Sequence, residues 1–141
     1  MVFNVHLDMI QSTQCHMSGM MWVEAARAGY NLNDLYFQVM HTEDGKLLYS
    51  KDNYCMWLGA KYALEYFKPK LGNEIKNEEM LYWIGYVMKF WNFYKPEWTS
   101  VMIYDAVPWD TWTSVYLGFH CLSPEMAIDN LIEIYNEQSD R

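Results

Sequence analysis

The sequence predicts an all-α fold, a single compact bundle of six or seven helices around a central aromatic-rich helix at about residues 78–95. Three observations predict it. Apolar residues recur at three- and four-residue spacing over most of the chain. Four prolines and seven glycines fall between those stretches as punctuation. The stretch from Met80 to Tyr94 is apolar on several sides at once, as a helix surrounded by others must be. At 141 residues the chain suits one domain, residues 1–141, able to bury a core without disulfide or metal staples.

The elements follow in order. Met17, Met20, Met21, Ala25 and Ala28 share helical spacing, and Gly29 sits where a helix C-terminus favours glycine. Asn33 is placed to cap a short helix through about Met40, ended by a turn at Thr42-Glu43-Asp44-Gly45. A small hairpin over Leu35–Tyr49 is the alternative. Asp52 then opens a helix with Trp57, Ala60, Leu64 and Phe67 on one stripe, stopped by Pro69. Asn77 caps the central helix, with Glu78 and Glu79 in its first turn. Its apolar sides carry Leu81, Ile84, Met88 and Trp91; Met80, Trp83, Val87 and Tyr94; and Tyr82, Tyr86 and Phe93. It ends before Pro96. Two short helices follow at about Thr99–Ala106 and Trp109–Leu117, with Pro108 and Gly118 as breaks. Ser123-Pro124-Glu125 starts the last helix, which buries Ile128, Leu131, Ile132 and Tyr135.

Composition narrows the function classes. The chain is 52% hydrophobic and 18% aromatic, too apolar for a disordered segment. Eighteen acids against ten bases give a net charge of −8, which opposes direct binding to nucleic acid or to an anionic membrane. No secretory pattern is visible in the first thirty residues, and the most apolar stretch contains Lys89 and is too short to span a bilayer. Cys15, Cys55 and Cys121 form no paired framework, so a cytoplasmic location with reduced thiols is expected.

Chemistry-bearing motifs are sparse. There is no phosphate-binding glycine loop, no Gly-x-Ser-x-Gly, no Cys-x-x-Cys and no His-Glu-x-x-His. Arg27 and Arg141 are the only arginines, and neither has a histidine five to seven positions on, which opposes a helical ribonuclease built on such a pair. Cys15-His16 and His120-Cys121 could together offer zinc four ligands, but neighbours on a helix point about 100° apart. Cys121 beside His120, with Asp105 or Asp110 upstream, is the one candidate nucleophile–base pair. Adjacent residues seldom face each other, so no catalytic residue, metal or cofactor is expected and the protein is read as a non-enzyme.

The positive signal is charge asymmetry. Residues 1–95 hold ten acids and nine bases, net −1; residues 96–141 hold eight acids and one base, net −7. Glu125, Asp129, Glu133 and Glu137 recur every fourth residue on the last helix, a stripe about 18 Å long at 1.5 Å per residue. Like charges at that spacing each cost the helix roughly 0.2–0.5 kcal/mol. The stripe is expected opposite the apolar face, either as a solvated surface or as one that meets a basic partner. Thirteen of the twenty-five aromatics lie between Tyr82 and Phe119. Of these, Trp98, Trp109 and Trp112 fall in short, proline-punctuated segments where full burial is harder to arrange; each is read as core or half-buried, with a partner-facing position as the alternative. Trp109, Trp112, Glu125, Asp129 and Glu133 are therefore the candidate partner-binding residues.

Two segments carry a resemblance: Tyr82-Trp83-Ile84-Gly85-Tyr86-Val87-Met88-Lys89-Phe90-Trp91, and Gly118-Phe119-His120-Cys121-Leu122-Ser123-Pro124-Glu125-Met126-Ala127-Ile128. Over roughly Tyr49 to Tyr135 the chain resembles small helical antitoxin-like proteins of Gram-positive bacterial toxin–antitoxin systems. Lys89 stands where that pattern has an arginine, and Cys121 where it has a threonine. The resemblance implies a neutralising protein whose partner is a toxin. Joined to the charge pattern, the expectation is an antitoxin- or immunity-type binding module for a basic, nuclease-like protein. The alternatives are a nucleic-acid mimic of phage type, a small enzyme using His120 and Cys121, and a sensor with an apolar ligand pocket.

Overall fold

Asp8 opens the first helix, α1 (Met9–Arg27), through a reciprocal cap: its carboxylate accepts from the Gln11 backbone at 2.7 Å, and the Gln11 side chain accepts from the Asp8 backbone at 3.1 Å. The computed structural model describes residues 7–51, 65, 67, 69–72 and 77–139. Gly29, at φ +79°, turns the chain out of α1 in the left-handed region that glycine tolerates. Asn31, rather than Asn33, caps α2 (Leu32–His41), its side chain accepting from the Asp34 backbone at 3.0 Å. The next residues form neither a simple turn nor a hairpin. Thr42 donates to the Gln38 carbonyl at 2.7 Å and accepts from the Gly45 backbone at 3.2 Å, closing α2 and capping α3 (Glu43–Leu48) with one hydroxyl. The expected cap Asp52 and the stripe residues Trp57, Ala60 and Leu64 lie outside the described residues, as does Cys55; Phe67 of that stripe is buried.

Asn77 caps the central helix, α4 (Glu78–Tyr94), accepting from Glu79 and Met80 at 2.9 and 3.3 Å. Past Pro96 come α5 (Ser100–Ala106), capped by Thr99, and α6 (Trp109–Phe119). Gly118 does not break α6 but lies inside its last turn. Ser123 accepts from the Met126 backbone at 3.2 Å and starts α7 (Pro124–Ser139). The described residues thus form an all-helical structure of seven helices. None is long and apolar enough to cross a membrane.

α4 is the hub, packed against α1, α6 and α7, while α2, α3 and α5 form a second group. From Met80 to Lys95 no residue is exposed, as its many-sided apolar pattern requires. α1 and α4 make the most extensive pair and run antiparallel, the end of α1 at Arg27 meeting the start of α4 at Glu78. Gly19 and Gly85 set their separation. A methyl group on Gly85 would lie 2.5 Å from the Ser18 carbonyl oxygen, and one on Gly19 would lie 2.7 Å from the Tyr82 ring. At the other end Arg27 forks onto Glu78 at 2.8 and 2.9 Å, holding the Glu78 carboxyl below its ordinary pKa through hydrogen bonding and charge.

Aromatic residues tie the two groups together. Tyr36 on α2 donates to the Val107 carbonyl at 2.6 Å and accepts from the Trp112 indole at 3.0 Å. Tyr49 accepts from the Trp22 indole at 3.1 Å and shares a 2.8 Å hydrogen bond with Ser18. Burial pushes both phenols well above the ordinary tyrosine pKa. Lys89, inside the apolar stretch of α4, is fully buried; its ammonium donates to the carbonyls of Leu48 and Ser50 and lies 5.3 Å from the Phe93 ring centre.

Candidate functional site

The acidic C-terminal third contains an open cleft where α5 turns into α6. The helical run ends at Ala106, Pro108 forces a corner, and α6 restarts at Trp109 without a side-chain cap. That corner brings Asp105 and Asp110 into the lining of one cavity of about 350 Å³, with Asn33, Tyr104, Pro108 and Trp109. Both carboxylates are exposed. The Tyr104 ring is held by Tyr36 at 4.9 Å and by the His41 edge at 4.6 Å. Trp109 stacks on Trp22 at 5.1 Å, so the wall of the cleft is continuous with the core. Two carboxylates over aromatic walls are chemically suited to a cationic side chain, through charge and through the ring faces.

The candidate contact residues divide. Trp109 is 5% exposed and Trp112 is fully buried, so the expectation that both face a partner is corrected. Short helices leave these indoles room to enter the interior: Trp109 lies against Trp22, and Trp112 packs between Trp83 and Trp91 while bonding Tyr36. Trp109 lines the cleft as its floor, whereas Trp112 is a core residue. Trp98 is half-buried against Trp91 and Tyr135.

The acidic stripe also departs from expectation. Glu125 is 7% exposed, and Asp129 is half-buried with both carboxylate oxygens accepting from the Tyr94 hydroxyl at 3.0 and 2.9 Å. Glu133 and Glu137 are exposed. The reason is geometric. Four residues turn a helix by about 400°, so a stripe of fourth residues drifts by about 40° per step and about 120° over three steps. It starts at the packing edge beside Ile128 and Leu131 and reaches solvent only in the second half of α7. Burial, followed by the hydrogen bond and charge of Asp129, pushes the Tyr94 hydroxyl up to about 12. Half a stripe does not supply the row of carboxylates that imitation of a phosphate backbone requires.

The dipeptides considered for chemistry are kept apart. His120 donates through Nδ1 to the Tyr116 carbonyl at 2.8 Å and stacks on the Tyr116 ring, while the exposed Cys121 thiol points to the Gly118 carbonyl at 3.8 Å. No hydrogen bond joins the two among the described residues. Cys15 is buried and its thiol is pushed up to about 12 by desolvation, whereas the adjacent His16 is exposed and bonds Tyr82 at 2.7 Å. Among the described residues no three His, Cys, Asp or Glu side chains gather as a metal site.

The cleft itself is what sequence reasoning misses. In the sequence Asp105 and Asp110 stand out only as possible partners of Cys121; the available signal is their placement on either side of Pro108, next to Trp109. Comparisons with protein-family models, with curated proteins and with solved structures find no match to this chain.

Proposed function

We propose that the protein is a binding module of antitoxin or immunity type that engages a basic protein through its acidic C-terminal third. The observation that carries this reading is unneutralised charge. Among the described residues, ion pairs join only Arg27 to Glu24 and to Glu78. Glu97, Asp105, Asp110, Glu133 and Glu137 are exposed, and residues 96–140 contain no lysine or arginine. Glu133 and Glu137 also stand in the C-terminal half of α7, whose last turn has no base. Glu137, in that last turn, opposes the helix dipole by roughly 0.3–1 kcal/mol, an effect that has faded at Glu133. A basic partner would relieve both costs and would be drawn in by the same field.

In this reading a lysine or arginine of the partner enters the Asp105/Asp110 cleft over the Trp109 floor, and Glu133 and Glu137 add rim contacts. The resemblance in Tyr82–Trp91 and Gly118–Ile128 points to the same class, with a toxin as partner.

The test has two steps. Tagged protein is first used to capture partners from its native cells at low and high salt, beside an Asp105→Asn/Asp110→Asn/Glu133→Gln variant. A basic protein held by the unaltered chain, shed as salt rises and missed by the variant, is the expected result. That protein, expressed alone, then arrests growth, and co-expression of this chain restores it. Capture indifferent to both salt and substitution would refute the charged surface, and a harmless captured partner would refute the antitoxin class.

A further inference from the structure

A second cavity, of about 330 Å³, lies away from the acidic cleft, between the end of α3, the C-terminal turn of α4 and the start of α5. Two cations stand at it, Lys46 and Lys51, both exposed and neither in an ion pair among the described residues. Asn92 lies in its wall. Asn92 is 2% exposed, and among the described residues neither its amide nitrogen nor its amide oxygen has a hydrogen-bond partner. A buried carboxamide left unpaired costs roughly 1–3 kcal/mol for each group, so such a residue in a cavity wall points to something that completes it.

Most of the other polar side chains lining the cavity already hold hydrogen bonds. Ser50 donates to the Leu47 carbonyl at 2.9 Å, and Ser100 donates to the Met40 carbonyl at 2.7 Å. Thr99 accepts from the Met102 backbone at 3.3 Å, and Tyr49 is engaged by Ser18 and Trp22. What remains is two ammonium groups and one carboxamide, with the Thr99 hydroxyl proton and the half-buried Trp98 indole beside them. The frame is fixed: Lys89, one turn before Asn92 on α4, holds the Ser50 carbonyl at 2.7 Å and so pins the segment that carries Lys51.

We propose that this cavity binds a small organic anion, its carboxylate or phosphate held by Lys46 and Lys51 and a donor–acceptor group set against Asn92. The volume is too large for one water or one inorganic anion and lies in the range of small-ligand sites. The reading is independent of the acidic surface, since it needs a ligand of opposite charge at a different place.

The test is a titration of the full ¹⁵N-labelled chain with N-acetylglutamate, adenosine monophosphate and inorganic phosphate, following the Asn92 side-chain amide and the Trp98 indole by NMR. Saturable shifts at both groups with N-acetylglutamate or the nucleotide are expected, and the probe that acts distinguishes a carboxylate from a phosphate ligand. Lys46→Gln/Lys51→Gln should weaken that binding about tenfold. Asn92→Leu should abolish it while the protein keeps its Tm. Three results would overturn the proposal: no shift at Asn92 with any probe, which leaves water as its only companion; equal response to inorganic phosphate; or affinity unaffected by loss of both lysines.

Discussion

The ammonium of Lys89, buried in the middle of α4, donates to the carbonyl of Ser50 at 2.7 Å, and the same nitrogen reaches the carbonyl of Leu48. A charge inside an apolar helix is thereby turned into a clasp on the chain that leaves α3. Both carbonyls lie past the point where α3 can satisfy them, so the lysine supplies what the helix end lacks.

Lys89→Met should therefore destabilise the protein although it makes α4 more uniformly apolar. The methionine has similar bulk and removes a desolvated cation, but it strands two acceptors at about 1–3 kcal/mol each. A net loss of about 1–3 kcal/mol in urea unfolding is expected, with faster amide exchange near residues 48–51. A variant as stable as the parent would show that the clasp contributes nothing.

Gly85 and Gly118 are both helical glycines and should respond with opposite sign. Gly85 sits at the α1–α4 crossing, where an added methyl group meets the Ser18 carbonyl and the Trp22 ring at 2.5 and 2.6 Å. Gly85→Ala must push the helices apart, at a cost of about 1–3 kcal/mol. At Gly118, in the last turn of α6, an added methyl group would meet nothing within 4 Å. Gly118→Ala should stabilise the protein by up to about 1 kcal/mol by reducing the freedom of the unfolded chain. Thermal unfolding of the two variants checks both signs, and a harmless Gly85→Ala would refute the close crossing.

These elements show what is legible in the sequence. The all-helical class and the central position of α4 follow from apolar residues on every side of Met80–Tyr94, a pattern that only a surrounded helix satisfies. Asn77, Ser123, Pro96 and Gly29 mark boundaries because capping and helix breaking are local events. Gly118 misleads because a glycine near a helix end has no fixed side of the boundary until the φ angle is known. Lys89 reads as an interruption of an apolar stretch, since its carbonyl partners lie about forty residues away in sequence.

The candidate site is less legible for a similar reason. Charge counting locates the acidic third, but exposure depends on helix rotation, and the drift of fourth residues carries Glu125 inward while Glu133 stays in solvent. Trp109 and Trp112 read as surface anchors because their helix is short. Burial comes instead from distant partners, Trp22 and Tyr36, that no local pattern could supply. Asp105 and Asp110 become a pair only once the Pro108 corner is built.

The Tyr94–Asp129 bond gives stability a dependence on alkaline pH. In the folded chain the Tyr94 hydroxyl is raised from its ordinary 10.0 to about 12, chiefly by burial and then because a phenolate would face the Asp129 carboxylate. Between those two values the unfolded chain holds fewer protons at this residue than the folded one, so stability falls as pH rises. The contribution is complete below about pH 10 and is lost through about pH 12. Tyr36, Tyr49, Tyr82 and Tyr86, also raised by burial, add to the same slope. Tyr94→Phe removes one titrating group and leaves these four. Urea midpoints measured at about pH 8 and about pH 11 should differ less in this variant than in the parent. At the lower pH the variant should be weaker, because Asp129 loses its donor at a half-buried position. An equal pH difference in the two proteins would mean that the phenol does not discriminate between folded and unfolded chains, and that the bond to Asp129 does not anchor α7 on α4.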